Sequence, residues 1–584
     1  MAQFDTSTTS DVLAGMTPAE RQAIMAMGAS FDSSGGTTII EDGCTENCFY
    51  ILLDGRVEVL KGDQRITLID EPGSVLGEMS LFNDNVRTST VATVANAKLL
   101  QIGSHEFIRE VLLHNPVAIK LMQNLGRVMM TRLARRDTEL INAARRNDAV
   151  AAQGAASFRT LKSRLMSDWS LRYHAIGRSG KLAITSTKPV GSAADLSIAY
   201  SPGVAEPCLR IKDDPDTAYD FTARSHLVGV ITNGTAVLGL GDIGALAAKP
   251  VMEGKAVLFK QFADLDSFDI EIDEKDPDKL INIVCSLGPT FGGINLEDIK
   301  APECFRIERE CQARLDIPVF HDDQHGTAII AAAGLLNALE IVGKKIGDVR
   351  VVFSGAGAAG FTCAKYFVTL GVKPANLTMT DIKGVVFKGR EDLAEPDNYL
   401  NELALDTPHR SLAEAVAGAD VFVGVSAAGV LKPDMLRSMA NDPIVFALAN
   451  PTPEIDYSTA RETRPDVIMA TGRSDHPNQV NNVIAFPYIF RGAMDARATC
   501  INPEMKLAAT KAIAELARVE VHPEVLAQFP GLHFGRDYLI PKPFDRRLLP
   551  AVASAVAKAA QETGVARKKL DPHQYATRLA ATIE

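Results

Sequence analysis

Val349-Arg350-Val351-Val352-Phe353-Ser354 runs directly into Gly355-Ala356-Gly357-Ala358-Ala359-Gly360, and this stretch decides the fold. The first six residues read as a short apolar strand, and Phe361–Leu370 reads as a helix. A second strand follows over Asn376–Thr380, with an acid, Asp381, just after it. In that frame Gly355 makes the tight turn and Gly357 lets the backbone approach a pyrophosphate. Gly360 permits close helix–strand packing, and Asp381 can hold a ribose hydroxyl pair. A glycine-rich turn without a ligand would not need strand, helix and acid in this order. The segment reads as a doubly wound parallel sheet that binds NAD or NADP. Asp381 favours a free ribose hydroxyl, whereas Lys383 can pair with a 2′-phosphate, so the choice of cofactor stays open.

The chain has 584 residues, too many for one core, and about three domains are expected. Aromatics are sparse, with one Trp and ten Tyr, as suits helix-rich α/β domains. A net charge of −11 argues against broad nucleic-acid binding. The opening MAQFDTSTTS has no basic stretch followed by an apolar core, so it does not read as a secretion signal. No apolar run is seen to approach the ~20 residues that span a bilayer. Eight scattered cysteines fit reduced thiols. Cys44 and Cys48 have no second pair nearby to complete a metal site, and they read as turn residues. The expectation is a soluble, cytoplasmic protein with neither membrane nor nucleic acid as partner.

Toward the N-terminus, Thr17-Pro18-Ala19-Glu20 has the form of a capping box with Pro at the first helical position. From Thr37 to Ile102 short β-rich runs alternate with turns at Asp42-Gly43, Asp54-Gly55, Gly62-Asp63 and Pro72-Gly73, which predicts a small sandwich or jelly roll. Gly77-Glu78-Met79-Ser80-Leu81-Phe82 and Arg87-Thr88-Ser89-Thr90-Val91 interrupt this texture. A glycine opening a helical turn presents backbone N–H groups to an anion, and Arg87 adds a fork suited to phosphate. These residues resemble the phosphate-binding cassette of cyclic-nucleotide-binding domains. The resemblance implies that Glu78 meets the ribose 2′-hydroxyl and Arg87 the cyclic phosphate. Gly77, Ser80 and Thr88 would complete the cradle. It also implies cyclic AMP, with cyclic GMP second, as the ligand. The helix Pro116–Ala144 carries Leu121, Leu125, Val128, Met129, Leu133, Leu140 and Ile141 at helical spacing, as a core-packing helix or a dimer seam would. Arg132, Arg135, Arg136, Arg145 and Arg146 read as a solvated face, and Ala149–Ser157 as a linker.

Beyond Phe158 several polar signals stand in order. Tyr200 precedes Ser201-Pro202-Gly203, at an element end where its hydroxyl can face a cleft. Lys255 follows Gly254 and opens the apolar run Ala256–Phe259, where desolvation would lower its pKa toward the range of a base. Glu297-Asp298 and Asp322-Asp323 each follow a strand-like segment. Such unpaired acids invite a hard divalent cation, Mg²⁺ or Mn²⁺. His321 and His325 read as orienting or core residues, while Asn450 and Asn482 supply amides at strand-end loops.

Together these segments are similar to malic enzyme of the shorter-cored prokaryotic branch, from about Arg164 to the end of the chain. By resemblance, Tyr200 is the general acid and Lys255 the general base, with Asp322 an acidic neighbour in the catalytic set. Glu297, Asp298 and Asp323 are the metal ligands. Asn450 and Asn482 touch malate or the nicotinamide, and Gly355, Gly357, Gly360 and Asp381 hold the dinucleotide, with Lys383 beside it. The implied reaction converts L-malate to pyruvate and CO₂ with reduction of NAD or NADP, in a homodimer or higher homo-oligomer. Animal-type members carry an Arg before the Leu238–Gly244 segment to grip substrate carboxylate, and Ala236 stands there instead. Many prokaryotic members also carry a phosphotransacetylase-like domain after this core, while this sequence has its extra domain in front.

The fold class that follows is multidomain. An N-terminal β jelly roll with helices precedes an α/β malic enzyme core that contains a doubly wound Rossmann-type NAD(P) domain. The expected divisions are a cyclic-nucleotide-binding-like domain at 1–145 and a linker at 146–163. A substrate and metal domain at 164–326, a dinucleotide domain at 327–545 and a helical segment at 546–584 follow. Two other readings remain: a cyclic-nucleotide sensor with an inactive enzyme core, and another metal-assisted 2-hydroxy-acid dehydrogenase.

Overall fold

A computed structural model describes residues 11–62, 64–78, 87, 89–112, 115–118, 120–122, 124–129, 167, 170–171, 173–175, 178–395, 397–473, 476–529 and 531–582. It divides into two compact units, 1–181 and 182–584.

In the first unit, helix Pro18–Ala26 is capped as its sequence requires. The Thr17 side chain accepts from the Glu20 N–H, and the Glu20 carboxylate accepts from the Thr17 N–H. Eight strands follow: β1 (Ala29–Ser33), β2 (Thr38–Ile40), β3 (Cys48–Asp54), β4 (Val57–Lys61), β5 (Gln64–Ile69), β6 (Val75–Leu76), β7 (Thr90–Thr93) and β8 (Ala97–Gly103). They form two antiparallel four-stranded sheets in the orders β1-β8-β3-β6 and β2-β7-β4-β5, a jelly-roll sandwich.

The period-2 alternation of side chains sorts each strand between two cores. Phe49, Ile51, Leu100 and Ile102 pack with Leu121, Leu125 and Val128. Tyr50, Leu52 and Leu99 pack with Ile40, Val57 and Val91. The helical positions at Leu121, Leu125 and Val128 therefore fill a core within this unit. Leu133, Leu140 and Ile141, the five arginines and the 149–157 linker lie outside the described residues.

The second unit has two parallel layers. The first sheet runs β10-β9-β11-β12 through β9 (Leu227–Thr232), β10 (Asp266–Glu271), β11 (Gly293–Leu296) and β12 (Val319–His321). The second comprises β13 (Val351–Ser354), β14 (Leu377–Asp381), β15 (Gly384–Val385), β16 (Val421–Gly424), β17 (Ile444–Ala447) and β18 (Ile468–Thr471). Its order is β15-β14-β13-β16-β17-β18, parallel except for β15. The chain leaves β13 toward β14 on one side and returns to β16 on the other. The crevice outside the β13 and β16 carboxyl ends is therefore the switch point at which such sheets bind ligands.

Helix Asp322–Val342 packs against helices Ala358–Leu370 and Pro503–Arg518 at the centre of this unit. It corrects one expectation, since at 21 residues it is long and apolar enough to cross a membrane by length and composition. Its apolar face is instead core, with Ile329, Ile330, Leu335 and Leu339 all buried.

Candidate active site

Two turns at the carboxyl ends of strands deliver the acids of the site. β11 ends at Leu296 and delivers Glu297 and Asp298. β12 ends at His321, and Asp322 and Asp323 form the first turn of the long helix that follows. One carboxylate oxygen from each of Glu297, Asp298 and Asp323 lies within 4.8 Å of the others. The Asp298 N–H donates to Asp323 Oδ2 at 2.8 Å, and the Asn295 amide donates to Glu297 Oε2 at 2.8 Å. Asp298 takes a left-handed backbone conformation, φ +53°, which costs a non-glycine residue energy and is typical of a functional turn.

Crowding of these acids is visible in their proton affinities. Burial, together with the Asp323 and Asp322 charges, pushes the Asp298 carboxyl up to about 8. Burial and the acids at 323, 322 and 298 likewise raise Glu297 well above its ordinary value, against the pull of Lys255. Asp298 Oδ2 is buried without a hydrogen-bond partner. An all-oxygen cluster with surplus negative charge and an orphaned ligand atom fits a hard divalent cation.

Lys255 stands mid-way along helix Ala245–Ala263, with its ammonium 2.9 Å from Glu297 Oε1 and 2.6 Å from Asp322 Oδ2. The Phe486 ring covers it at 4.1 Å. Here the structure corrects the sequence reading. Desolvation does act to lower the pKa of Lys255, but the two carboxylates outweigh it and the net shift is upward. Asp322 also accepts from the Asn482 amide at 3.1 Å, and Asn482 Oδ1 accepts from the Thr327 hydroxyl.

Lys255, Glu297, Asp298, Asp322, Asp323, Thr327 and Asn482 line one cavity of about 740 Å³, shared with Gly357, Gly360, Asn450 and Ala236. The three glycines divide as their spacing predicts. Gly355 has φ +111°, and a Cβ there would strike the Val425 carbonyl. A Cβ on Gly360 would overlap the Gly355 carbonyl, while Gly357 faces open space at the start of helix Ala358–Leu370. The backbone is thus bare where a pyrophosphate would approach a helix N-terminus.

Three expected residues are placed differently. Asp381 and Lys383 are not among the cavity-lining residues. Arg390 grips Asp381 through both guanidinium nitrogens, at 2.9 and 2.5 Å. Lys383 pairs with Asp392 at 3.0 Å. Tyr200 ends the short helix Ala193–Ala199, is 73% exposed, and lies outside the cavity walls of its own chain.

Sequence reasoning missed Glu308, which is buried and accepts from the His321 N–H at 3.0 Å and from His325 Nε2 at 2.9 Å. Burial would raise its pKa, but His325, Lys506 and His321 more than offset this and hold it at about 2. Lys506 adds its ammonium 3.1 Å from His325. The available signal was a glutamate set among Cys304, Ile307 and Cys311 on the apolar face of helix Glu303–Arg314.

In the 1–181 unit the structure brings Gly77 and Arg87 together, next to Glu78. Arg87, only 3% exposed, donates to the Gly77 carbonyl at 2.8 Å and to the Cys48 carbonyl at 2.6 Å. It also pairs with Glu46 at 2.9 Å. Ser80 and Thr88 lie outside the described residues.

Models of the malic enzyme N-terminal domain and of the malic enzyme NAD binding domain match residues 179–312 and 324–537. The NADP-dependent malic enzyme of Halomonas elongata is 55% identical over 406 residues, covering 69% of this chain and 96% of that protein. The chain belongs to the malic enzyme family. The NAD-dependent malic enzyme of Rhizobium meliloti is 58% identical over 403 residues, 69% of this chain but 52% of that protein. This malic enzyme family member thus spans about half the length of several curated relatives it matches. A crystal structure of malic enzyme from Pyrococcus horikoshii Ot3 superposes with a TM-score of 0.66 at 41% identity, over 72% of this chain and 96% of that one. Residues 33–113 match the cyclic nucleotide-binding domain. An N-terminal cyclic nucleotide-binding domain therefore precedes a malic enzyme core with a Rossmann-type dinucleotide domain.

Proposed function

We propose that the 182–584 unit oxidatively decarboxylates L-malate to pyruvate and CO₂ with reduction of NAD or NADP, dependent on Mg²⁺ or Mn²⁺. The observation that carries this reading is the joining, in one cavity, of the Lys255–Asp322 pair, the Glu297–Asp298–Asp323 cluster and the bare Gly357 turn.

Glu297, Asp298 and Asp323 would hold the cation, which when bound polarises the substrate hydroxyl and ketone oxygens. Gly357 and Gly360 would seat the dinucleotide, with Asn450 and Asn482 on the same wall. Lys255 is charged at rest, so it can accept the C2-hydroxyl proton only by handing its own on. Asp322 Oδ2, 2.6 Å away, is placed to take it. With Ala236 in place of a guanidinium, Lys300 is the remaining cation among the cavity-lining residues, and we assign it to the malate carboxylate.

Tyr200 would return a proton to the carbon that loses CO₂. Its exposure is shared by Ile184, Leu196, Ile198 and Leu209 in the same segment, all more than half exposed. An exposed apolar arm of this kind supports a homodimer in which Tyr200 reaches the cavity of a second copy. The Glu78–Arg87 cassette supports cyclic AMP binding, with regulation of the enzyme as its output, and a cytoplasmic setting is retained from the sequence.

Malate-dependent reduction of each dinucleotide, with CO₂ measured in Mn²⁺ and after chelation, tests the reaction. Reduction without CO₂ would instead mark another 2-hydroxy-acid dehydrogenase, and no reduction an inactive core. For the cross-copy role, Tyr200→Phe and Lys255→Ala chains are co-expressed. Each is expected to be impaired alone, and mixed dimers are expected to regain part of the activity. No recovery would place Tyr200 and Lys255 in the same chain's site.

A further inference from the structure

Away from the catalytic cavity, the 182–584 unit holds a second hollow of about 650 Å³, within the ~300–1,000 Å³ range of small-molecule sites. Its walls come from the end of helix Ala245–Ala263, from helix Phe486–Asp495 and from the segment before helix Leu548–Glu562.

Among the described residues every acid on these walls is paired, and so are two of the three basic groups. Lys260 meets Asp264 and Asp266 at 2.7 and 2.9 Å, and Arg546 meets Glu524 at 3.3 Å. Asp545 is held by Arg547 at 2.6 Å. Lys542, half-buried, has no carboxylate at ion-pair distance among the described residues, and its ammonium lies 5.0 Å from the centre of the Phe529 ring. Burial pushes its pKa down. A cation drawn from water and left with only a phenyl face is costly unless an anion joins it. Phe544 lines the same hollow and stays largely exposed, its ring 5.6 Å from that of Phe262.

We propose that this hollow binds a carboxylate carrying an apolar body, chain or ring, with Lys542 as its counter-ion. One ammonium with no carboxylate at ion-pair distance among the described residues offers one charge-assisted contact, which a carboxylate fills. Phe529 and Phe544 offer the faces against which an apolar body loses its water.

The hollow also touches the supports of the catalytic lysine. Lys260 follows Lys255 on one helix, and Tyr488 lies two residues beyond Phe486, whose ring covers the Lys255 ammonium. Phe259 packs against Phe486 at 4.8 Å, joining the two helices. A ligand that favours one packing of this pair shifts the setting of Lys255 by its differential affinity. That consequence rests on the proposed malate reaction, whereas binding does not.

The test is limiting acetylation of the full chain with an N-hydroxysuccinimide ester, following Lys542 by peptide mass spectrometry. Octanoate is the probe, acetate supplies the charge without the body, and octanamide the body without the charge. Octanoate is expected to slow Lys542 acetylation severalfold while acetate and octanamide leave it unchanged. Calorimetry is expected to show octanoate binding lost in Lys542→Met, with the fold checked by melting. Should that variant not fold, the wild-type footprint still decides. No protection by octanoate, or equal protection by octanamide, overturns the proposal. So does protection that grows with protein concentration alone, which would make the hollow a self-association surface. The footprint needs no turnover, so an inactive enzyme would count against the malate reading and not against this one.

Discussion

Two buried charge clusters, around Lys255 and around Arg87, are built on opposite terms. Around Lys255, four carboxylates at 297, 298, 322 and 323 face one ammonium, and negative charge is in surplus. Around Arg87, among the described residues, one guanidinium meets Glu46 and the Gly77 and Cys48 carbonyls. Surplus charge in a dry site is unfavourable until a counter-ion arrives, so the first cluster is built to be filled. In the second, Glu46 already pairs with Arg87, so an anion would have to share or displace that contact. The same residue types therefore form a cluster with surplus charge in one unit and a paired one in the other.

The strongest challenge to this contrast is Lys255→Ala. Removing its ammonium should lower kcat by about 10²–10⁴-fold with a much smaller change in KM, because a base acts in the transition state. A change confined to KM would reduce Lys255 to a binding residue. Asp323→Asn should weaken Mn²⁺ binding by about 100-fold while dinucleotide binding, followed by fluorescence titration, stays intact. Unchanged metal dependence would show that the carboxylate surplus serves something else.

Protons sharpen the same point. A cation needs Asp298 ionised, and its carboxyl sits at about 8. Mn²⁺ binding should therefore release a proton below that pH, and affinity should rise as pH climbs toward it. Calorimetry in buffers of different ionisation heat measures the release, and none would contradict the crowding. Lys300→Met is expected to raise the malate KM roughly tenfold, the loss of one charged contact, with kcat nearly kept.

The Arg87 site should give the smallest effects. Cyclic AMP is expected to shift malate affinity or turnover several-fold, a coupling of about 1–3 kcal/mol. Arg87→Ala should abolish the response while basal activity remains. Because Glu46 is partly exposed, Glu46→Gln should tighten cyclic AMP binding by no more than about fivefold, the reach of a half-solvated pair. Calorimetry showing no nucleotide binding to either form would make the N-terminal domain a structural module.

Local chemistry made much of this legible in advance. The Thr17–Glu20 capping box and the Gly355–Gly360 turn are satisfied within a few residues, and the structure places both where the sequence puts them. The acids after β11 and β12 were readable because each follows an apolar strand directly. Glu308 escaped notice because its partners, the His321 N–H and His325, come 13 and 17 residues later across a helix–strand contact.

The sequence alone determined the order of domains, the capping box at Thr17–Glu20 and the glycines on which a dinucleotide-binding turn depends. Those properties follow from backbone sterics and side-chain period, which act over one or two turns of chain. Only the tertiary structure decided the sign of the shift at Lys255, whose partner Asp322 is 67 residues away. It alone showed that Arg390 occupies Asp381, that Glu46 occupies Arg87, and that Tyr200 is exposed and not among the residues lining its own chain's cavity. Charge and exposure are set by whatever the fold brings within a few ångströms, and neither is encoded by neighbours in the chain.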